Sequence, residues 1–222
     1  MSTTMPLFPL GSVLYPGLVL PLHIFEERYR QLVADLLAGP EPRQFGVIAI
    51  RHGRETDADG VSALFETGCL ATLRRTEEHD DGKLDLITVG AERFRLLGLR
   101  EPNPYPRGDI QVLEEEAGDE ERSAFLVPAV QQSFRAYLDL LADRGSTQVT
   151  LPEMPSEPVL LSYLVAAAVV VDLPVKQGLL EEQDATARLS AERVLLAREM
   201  KLMRSLFSTP APDLRNASYS QN

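Results

Sequence analysis

The feature that most constrains the fold is a change in the spacing of apolar residues near residue 117. Before it, apolar residues alternate or form short runs separated by turn signals such as Asp81-Gly82, which is typical of strands joined by hairpins. After it, they recur with the period of a helix. The order predicts an α+β fold: a β-rich subdomain at residues 1–116, a helical subdomain at 117–208 and a disordered tail at 209–222.

The opening stretch combines a dense apolar run with Pro6, Pro9, Pro16 and Pro21. A secretory signal peptide needs a basic start and an unbroken helical core, but residues 1–6 lack Lys and Arg and the prolines would break a helix. We therefore interpret the stretch as a strand pair that leads into the first helix. The helical period then places apolar residues on one face, namely Phe25, Tyr29, Leu32, Val33, Leu36 and Leu37.

Charge, cysteine content and the longest apolar run narrow the functional class. A net charge of −11 argues against a nucleic-acid partner, because such binders neutralise phosphates with clustered Lys and Arg. Cys69 is the only cysteine, as expected in a reducing compartment. The apolar run at residues 159–171 is too short for a membrane span and predicts a helix buried on all sides. We expect a cytoplasmic protein with neither a nucleic-acid nor a membrane partner.

Three local predictions concern turns and helix caps. Gly90-Ala91 interrupts a strand-like pattern and predicts a second tight reversal of the chain. Ser156 and Asp184 precede helical patterns and are predicted to cap the helices that follow.

The sequence lacks the residue combinations typical of catalysis or of metal binding. His23, His52 and His79 are far apart, and we interpret His23 as a core or capping residue. Residues 57–60 resemble part of a calcium loop without the Glu that completes an EF-hand. Neither a G-x-x-x-x-G-K-[ST] phosphate loop nor a G-x-S-x-G nucleophile motif occurs. We therefore expect no catalytic residue, no cofactor and no metal.

Motifs along most of the chain resemble the N-terminal domain of Lon protease and the stand-alone bacterial proteins built on it. They are PLFPL (6–10), VLYPG (13–17), LPLHIFE (20–26), RYR (28–30), GAERF (90–94), KQ-x-LLE (176–181) and RL (188–189). The resemblance implies a PUA-like β pseudobarrel followed by a C-terminal helical bundle. It also implies a role in recognising polypeptide substrates, because the ATPase and protease activities of Lon belong to other domains.

The start of the first helix is the candidate partner-binding surface. Its charged residues are Glu26, Glu27, Arg28 and Arg30. The resemblance implies that this helix belongs to the substrate-facing surface of the Lon domain. The alternative is a purely local role for each residue, with Glu26 capping the helix and Arg28 paired with a neighbouring acid.

Together these features predict a non-catalytic module that binds unfolded or partner polypeptide, with a role in protein quality control. One alternative is an enzyme that uses a cleft between barrel and bundle, which a perturbed carboxylate pair facing a pocket would indicate. The other is a small-ligand sensor, although the chain lacks the cysteine pairs of the zinc-bearing domain found in some relatives. No feature of the sequence indicates an oligomeric state.

Overall fold

The computed structural model describes residues 2–51, 64–102, 104–142 and 154–208, without the side chains of 206–208. Its strands and helices follow one another in the order that the sequence predicts. The strands are β1 (Thr3–Leu10), β2 (Val19–Ile24), β3 (Gln44–Ala49), β4 (Thr67–Glu78), β5 (Leu84–Arg100) and β6 (Arg107–Val112), and the helices are α1 (Glu27–Ala38), α2 (Glu120–Ala142), α3 (Pro158–Ala168), α4 (Leu173–Glu181) and α5 (Ala185–Ser208). The predicted α+β fold is confirmed.

The strands form one sheet that curls on itself into a pseudobarrel. The strand order is β2-β5-β4-β3-β1-β6, and β5 also pairs with β6. This closure is available because β5 is 17 residues long: its first half pairs with β2 and its second half with β6. Strand β2 is hydrogen-bonded only to β5 among the described strands, so its other edge is open.

Helix α1 packs against the inside of this sheet through the middle of its predicted apolar face. Tyr29, Leu32 and Val33 are buried, and the Tyr29 ring lies 4.4 Å from the ring of Phe8 on β1, measured between centroids. The prediction is wrong for Phe25, which lies between the end of β2 and the start of the helix and is 58% exposed. It is also wrong for Leu37, which is exposed in the last turn.

The predicted reversal at Gly90-Ala91 is wrong, because β5 continues through both residues. The glycine is needed for a close approach instead. A Cβ atom at position 90 would lie 2.2 Å from the carbonyl oxygen of Tyr15. The pairing of β4 with β5 also shifts register between Cys69 and Ala71, close to this approach.

The helices α2–α5 share a second core, which contains most of the predicted buried helix. Leu161, Val165 and Ala166 of α3 are buried, but Leu160 and Val170 are exposed, so the prediction of burial on all sides holds for only part of the run. None of the helices among the described residues is long and apolar enough to cross a bilayer.

The helix caps agree with the sequence at one position and differ at another. Asp184 accepts a hydrogen bond from the backbone N–H of Ala187, so its predicted capping role is confirmed. Helix α3 is capped by Glu157 rather than by Ser156. The Glu157 carboxylate accepts hydrogen bonds from the N–H groups of residues 159 and 160, at 3.0 and 2.6 Å.

Candidate functional site

Glu26 and Arg28, two of the four predicted binding residues, pair with each other at the start of α1. Glu26 occupies the N-cap position, but its carboxylate makes no capping hydrogen bond. It accepts one instead from Arg28 Nε at 2.9 Å, and the Arg28 guanidinium also lies over the Tyr29 ring at 4.7 Å. Part of the charge of both residues is therefore balanced within the chain.

Glu27 and Arg30 form a second pair, within the first turn of the same helix. Arg30 Nη1 donates to Glu27 Oε2 at 2.9 Å, and Glu27 is the more exposed partner, with 82% of its side chain accessible. Arg30 also covers the hairpin turn between β4 and β5, because a Cβ atom on Gly82 would lie 3.1 Å from Arg30 Nη2. Of the four residues, Glu27 is thus the one most available to a partner.

Two depressions flank the start of α1. The first, of about 200 Å³, is mostly apolar and lies between the end of β1 (residues 8–10) and β2 (residues 21–24), with Glu26 and Tyr29 from the helix region. The second, of about 260 Å³, lies between α1 and the β4–β5 hairpin and is lined in part by Glu27 and Arg30. Three of the four predicted residues are therefore divided between two neighbouring grooves, and Arg28 lines neither.

Phe25 is the prominent feature of this surface that the sequence analysis missed. It lines the first groove, and Val19 at the other end of β2 is also exposed. A hydrophobic residue just before an N-cap often packs on the fourth helical residue, which here is Arg30. Because Arg30 is charged rather than apolar, Phe25 has no hydrophobic residue at that position to pack against. That mismatch is the signal by which the sequence could have revealed an exposed aromatic side chain.

His23, interpreted above as a core or capping residue, is neither. Its imidazole is exposed on β2, and its Nδ1 lies 2.6 Å from Asp85 Oδ1 on β5. His79 Nε2 lies 2.7 Å from Asp85 Oδ2, so one carboxylate joins two histidines that are 56 residues apart in the chain (79 − 23). The hydrogen bond to Asp85 raises the pKa of His79, and the two histidines lower the pKa of Asp85. His52 and the acidic loop at 57–60 lie outside the described residues.

Comparison with known proteins decides the family. A model of the "ATP-dependent protease La (LON) substrate-binding domain" matches residues 4–198. The chain belongs to this family. The Lon proteases of Anaeromyxobacter dehalogenans and Escherichia coli K12 are 27% and 25% identical to it, over 90% and 89% of this chain. The chain spans only about a quarter of their length, and no ATPase or protease domain lies within the aligned part.

Solved structures agree with this assignment. A crystal structure of a Lon N-terminal domain protein from Xanthomonas campestris has a TM-score of 0.63 and 27% identity, covering 88% of this chain and 98% of that one. The N-terminal domain of a Mycobacterium avium complex Lon protease has a TM-score of 0.64 at 16% identity, with the same coverage, and supports the fold. The pseudobarrel with a helical bundle is thus the architecture of Lon substrate-binding domains.

In this Lon domain, the Arg93 of the GAERF motif joins the barrel to the helical bundle. It projects from β5, is almost fully buried, and donates to the backbone carbonyls of Leu180, at 2.9 Å, and Glu182, at 2.5 Å. Its Nε also lies 2.9 Å from Glu115 Oε2. The Gln177 side chain of the KQ-x-LLE motif makes a second link, donating to the backbone carbonyl of Thr67 on β4.

Arg188 of the RL motif completes the same buried network from α5. It donates to Glu115 Oε1 at 3.2 Å and to the Tyr163 hydroxyl at 3.1 Å, with its guanidinium 3.9 Å from the Tyr163 ring centroid. Burial raises the pKa of Tyr163, so its hydroxyl stays protonated and donates to Glu115. Glu115 is therefore the shared counter-charge of two buried arginines.

The alternative of an enzyme with an active cleft predicts a perturbed carboxylate pair in a pocket. Among the described residues, the carboxyl whose pKa is raised is Glu192, because burial outweighs the opposing charge of Arg188. Glu192 is fully buried in α5, neither of its oxygens has a hydrogen-bond partner of good geometry, and it lines neither groove. The carboxyl with the raised pKa is thus separate from the exposed surface around α1.

Proposed function

We propose that this Lon substrate-binding domain binds unfolded or partially unfolded polypeptide at the open edge of β2 and the start of α1. The observation that carries the proposal is the exposed Phe25 beside an apolar groove in a member of this family. An aromatic side chain at the rim of an apolar groove supplies the kind of anchor that dominates the affinity of many protein interfaces.

The open edge of β2 supports an extended polypeptide as the bound form. Leu22 and Ile24 point into the barrel, whereas Val19, Pro21 and His23 are exposed. A segment lying along this edge would hydrogen-bond through its backbone, which is largely independent of sequence, while the groove accepts apolar side chains. Such a mode suits a module that must recognise many unfolded chains.

Glu26, Glu27, Arg28 and Arg30 have a secondary role in this proposal. They place both signs of charge beside the apolar groove, and internal pairs already balance part of that charge. Rim charges of this kind act mainly on the rate of association and on its dependence on salt. Glu27, the most exposed of them, is expected to contribute most.

Binding of fluorescently labelled β-casein, an unfolded protein, tests the proposal by fluorescence anisotropy. Phe25→Ser should weaken binding about 10-fold or more, since removing an aromatic hot-spot residue typically costs about 2 kcal/mol or more and about 1.4 kcal/mol corresponds to a tenfold change. The matched control is Phe125→Ser, because Phe125 is also exposed, at 77%, but lies on α2. The double variant Glu27→Arg/Arg30→Glu keeps the internal pair and reverses its direction. It should weaken β-casein binding less than Phe25→Ser does, and this loss of affinity should shrink as the salt concentration is raised.

Equal affinity of the wild type, the Phe25 variant and the Phe125 variant would contradict the proposed surface. A larger loss in the Phe125 variant would move the binding site to the helical bundle. Unfolding by urea shows whether each variant is folded, and all the substitutions are at exposed or partly exposed positions.

The remaining parts of the proposal concern organisation and setting. The end of β6 at Val112 and the start of α2 at Glu120 support subdomains at residues 1–116 and 117–208. The predicted tail at 209–222 lies outside the described residues. The lone, buried Cys69 supports a reducing compartment such as the cytoplasm, and the net negative charge supports a partner other than nucleic acid. The family match supports a non-catalytic role in protein quality control. The proposal includes no membrane partner.

A further inference from the structure

We propose that His23, His79 and Asp85 form a binding site for a divalent transition-metal ion, for which Zn²⁺ is the reference case. His23 and Asp85 are directly opposite each other in the pairing of β2 with β5, and His79 follows the end of β4. A ring nitrogen of each histidine and a carboxylate oxygen lie within 4.8 Å of one another. Three ligands from separate segments thus converge on one point of the surface.

The chemistry of the donors selects the class of metal. Two imidazole nitrogens and one carboxylate oxygen suit Zn²⁺, Ni²⁺, Co²⁺ or Cu²⁺, whereas Mg²⁺ and Ca²⁺ prefer oxygen ligands alone. Zinc sites with three protein ligands keep the fourth position for water or for a group from another molecule. The site is therefore expected to bind the ion without enclosing it.

The backbone around the site is fixed while the ligands themselves can adjust. The hairpin is closed by hydrogen bonds from His79 N–H to Lys83 O at 2.9 Å and from Gly82 N–H to His79 O at 2.8 Å. Ligand atoms around a tetrahedral zinc ion lie roughly 3.4 Å apart. Both histidines, now 2.6 and 2.7 Å from Asp85, would need to draw back slightly. Their side chains are 54% and 42% exposed, which leaves room for that rotation.

The local charge favours a cation. Asp80 and Asp81 line the same shallow depression as the three ligands. Lys83, the basic residue of the depression, is engaged by Asp81, with Nζ 2.6 Å from Oδ2. The three carboxylates of the depression therefore outnumber its one lysine.

A bound ion would tie the β4–β5 hairpin to the edge strand β2. The ring centroid of Phe25 lies 6.4 Å from that of His23, so the ion would brace the strand beside the groove described above. The inference of a metal site depends only on the three ligands and their surroundings. It would hold even if polypeptide bound elsewhere on the protein.

Titration of the full chain with Zn²⁺ against a chromophoric chelator tests the inference. We expect one ion per chain at this site and a loss of affinity of at least about 10-fold in each of His23→Gln, His79→Gln and Asp85→Asn, since even outer-shell changes cost about 10–100-fold. Asp81→Asn is the matched control, because it removes the same charge from the same hairpin without removing a ligand. Its affinity should fall less than that of any ligand variant, because only a nearby charge is lost and all three ligands remain, and excess Mg²⁺ should not compete.

A second measurement on the unchanged protein guards against variants that fail to fold. Zn²⁺ should shift the imidazole NMR resonances of His23 and His79 together, with saturation at the stoichiometry of the titration. Absence of specific binding, equal affinity in the ligand variants and the wild type, or efficient competition by Mg²⁺ would overturn the inference, because each would indicate only weak binding to surface carboxylates.

Discussion

Glu115→Gln is the substitution that most directly probes how barrel and bundle are held together. The Glu115 carboxylate is the counter-charge of both Arg93 and Arg188, whose side chains are 3% and 0% exposed. Glutamine has nearly the same shape but no charge, so both guanidinium groups would stay buried without a negative partner in this position. The change therefore isolates the electrostatic contribution of one carboxylate from its packing.

The structure allows the magnitude to be worked out. Removing one partner of a fully buried ion pair typically costs about 3–5 kcal/mol, because the other charge is left uncompensated. Two features place Glu115→Gln near the lower end: its own side chain is 27% exposed, and both arginines keep neutral acceptors, such as Leu180 O for Arg93 and Ser162 Oγ for Arg188. We expect a loss of about 3 kcal/mol in the free energy of unfolding, or roughly 6–12 °C in Tm for a chain of this size.

Urea unfolding followed by far-UV circular dichroism measures this loss. Glu116→Gln is the control, because it removes the same charge from the adjacent, exposed position. If barrel and bundle depend on Glu115 for their coupling, the unfolding transition of the Glu115→Gln variant should also broaden or separate into two steps. A loss below about 1 kcal/mol, equal to that of the control, would show that the neutral acceptors alone satisfy the two arginines, and the reasoning would be refuted.

Two further predictions concern Glu192 and Gly90. Burial raises the pKa of Glu192 in the folded state, so folding takes up a proton above the unfolded carboxyl pKa of about 4.3, and stability falls as the pH rises toward the folded value. Glu192→Gln removes this dependence on pH. In urea unfolding, the free energy of unfolding of the variant relative to the wild type should therefore grow between pH 5 and 7, by at most about 1.4 kcal/mol per pH unit. A difference that stays constant over this range would contradict a raised pKa of Glu192. Gly90→Ala should lower the free energy of unfolding by about 1–3 kcal/mol, because its Cβ would collide with the Tyr15 carbonyl. The control is Gly98→Ala on the same strand, where a Cβ has open space around it. Equal thermal stability of the two variants would contradict the prediction.

The sequence predicted the order and type of the elements because that information is local. Alternation, helical period and turn residues depend on neighbours within a few positions, so β2 and the turn at Gly82 were predicted correctly. The error at Gly90-Ala91 has a non-local cause. A glycine required by the close approach of a distant carbonyl has the same appearance in sequence as a glycine required by a turn.

The candidate sites escaped prediction for a related reason. His23 and His79 are brought together by the pairing of β2 with β5, which no local pattern specifies. The exposure of Phe25 depends on the residue that it could pack against, Arg30 in the first turn of α1. The helical period ignores that residue and assigned Phe25 to the buried face. Pairing across a sheet therefore determines the chemistry of this surface, whereas periodicity determines only its elements.

The residues that carry the family resemblance most clearly hold the barrel and the helical bundle together, rather than contact a partner. Arg93, Gln177 and Arg188 all lie in motifs that resemble the Lon family, and all three are buried where barrel meets bundle or within the network that joins them. Each of these side chains makes several buried interactions at once, so few other residue types could replace it without disturbing the fold. Phe25 and Glu27, by contrast, are exposed and make few demands on the structure. The proposed binding surface can therefore change without loss of the fold, and its residues have to be located from exposure and geometry.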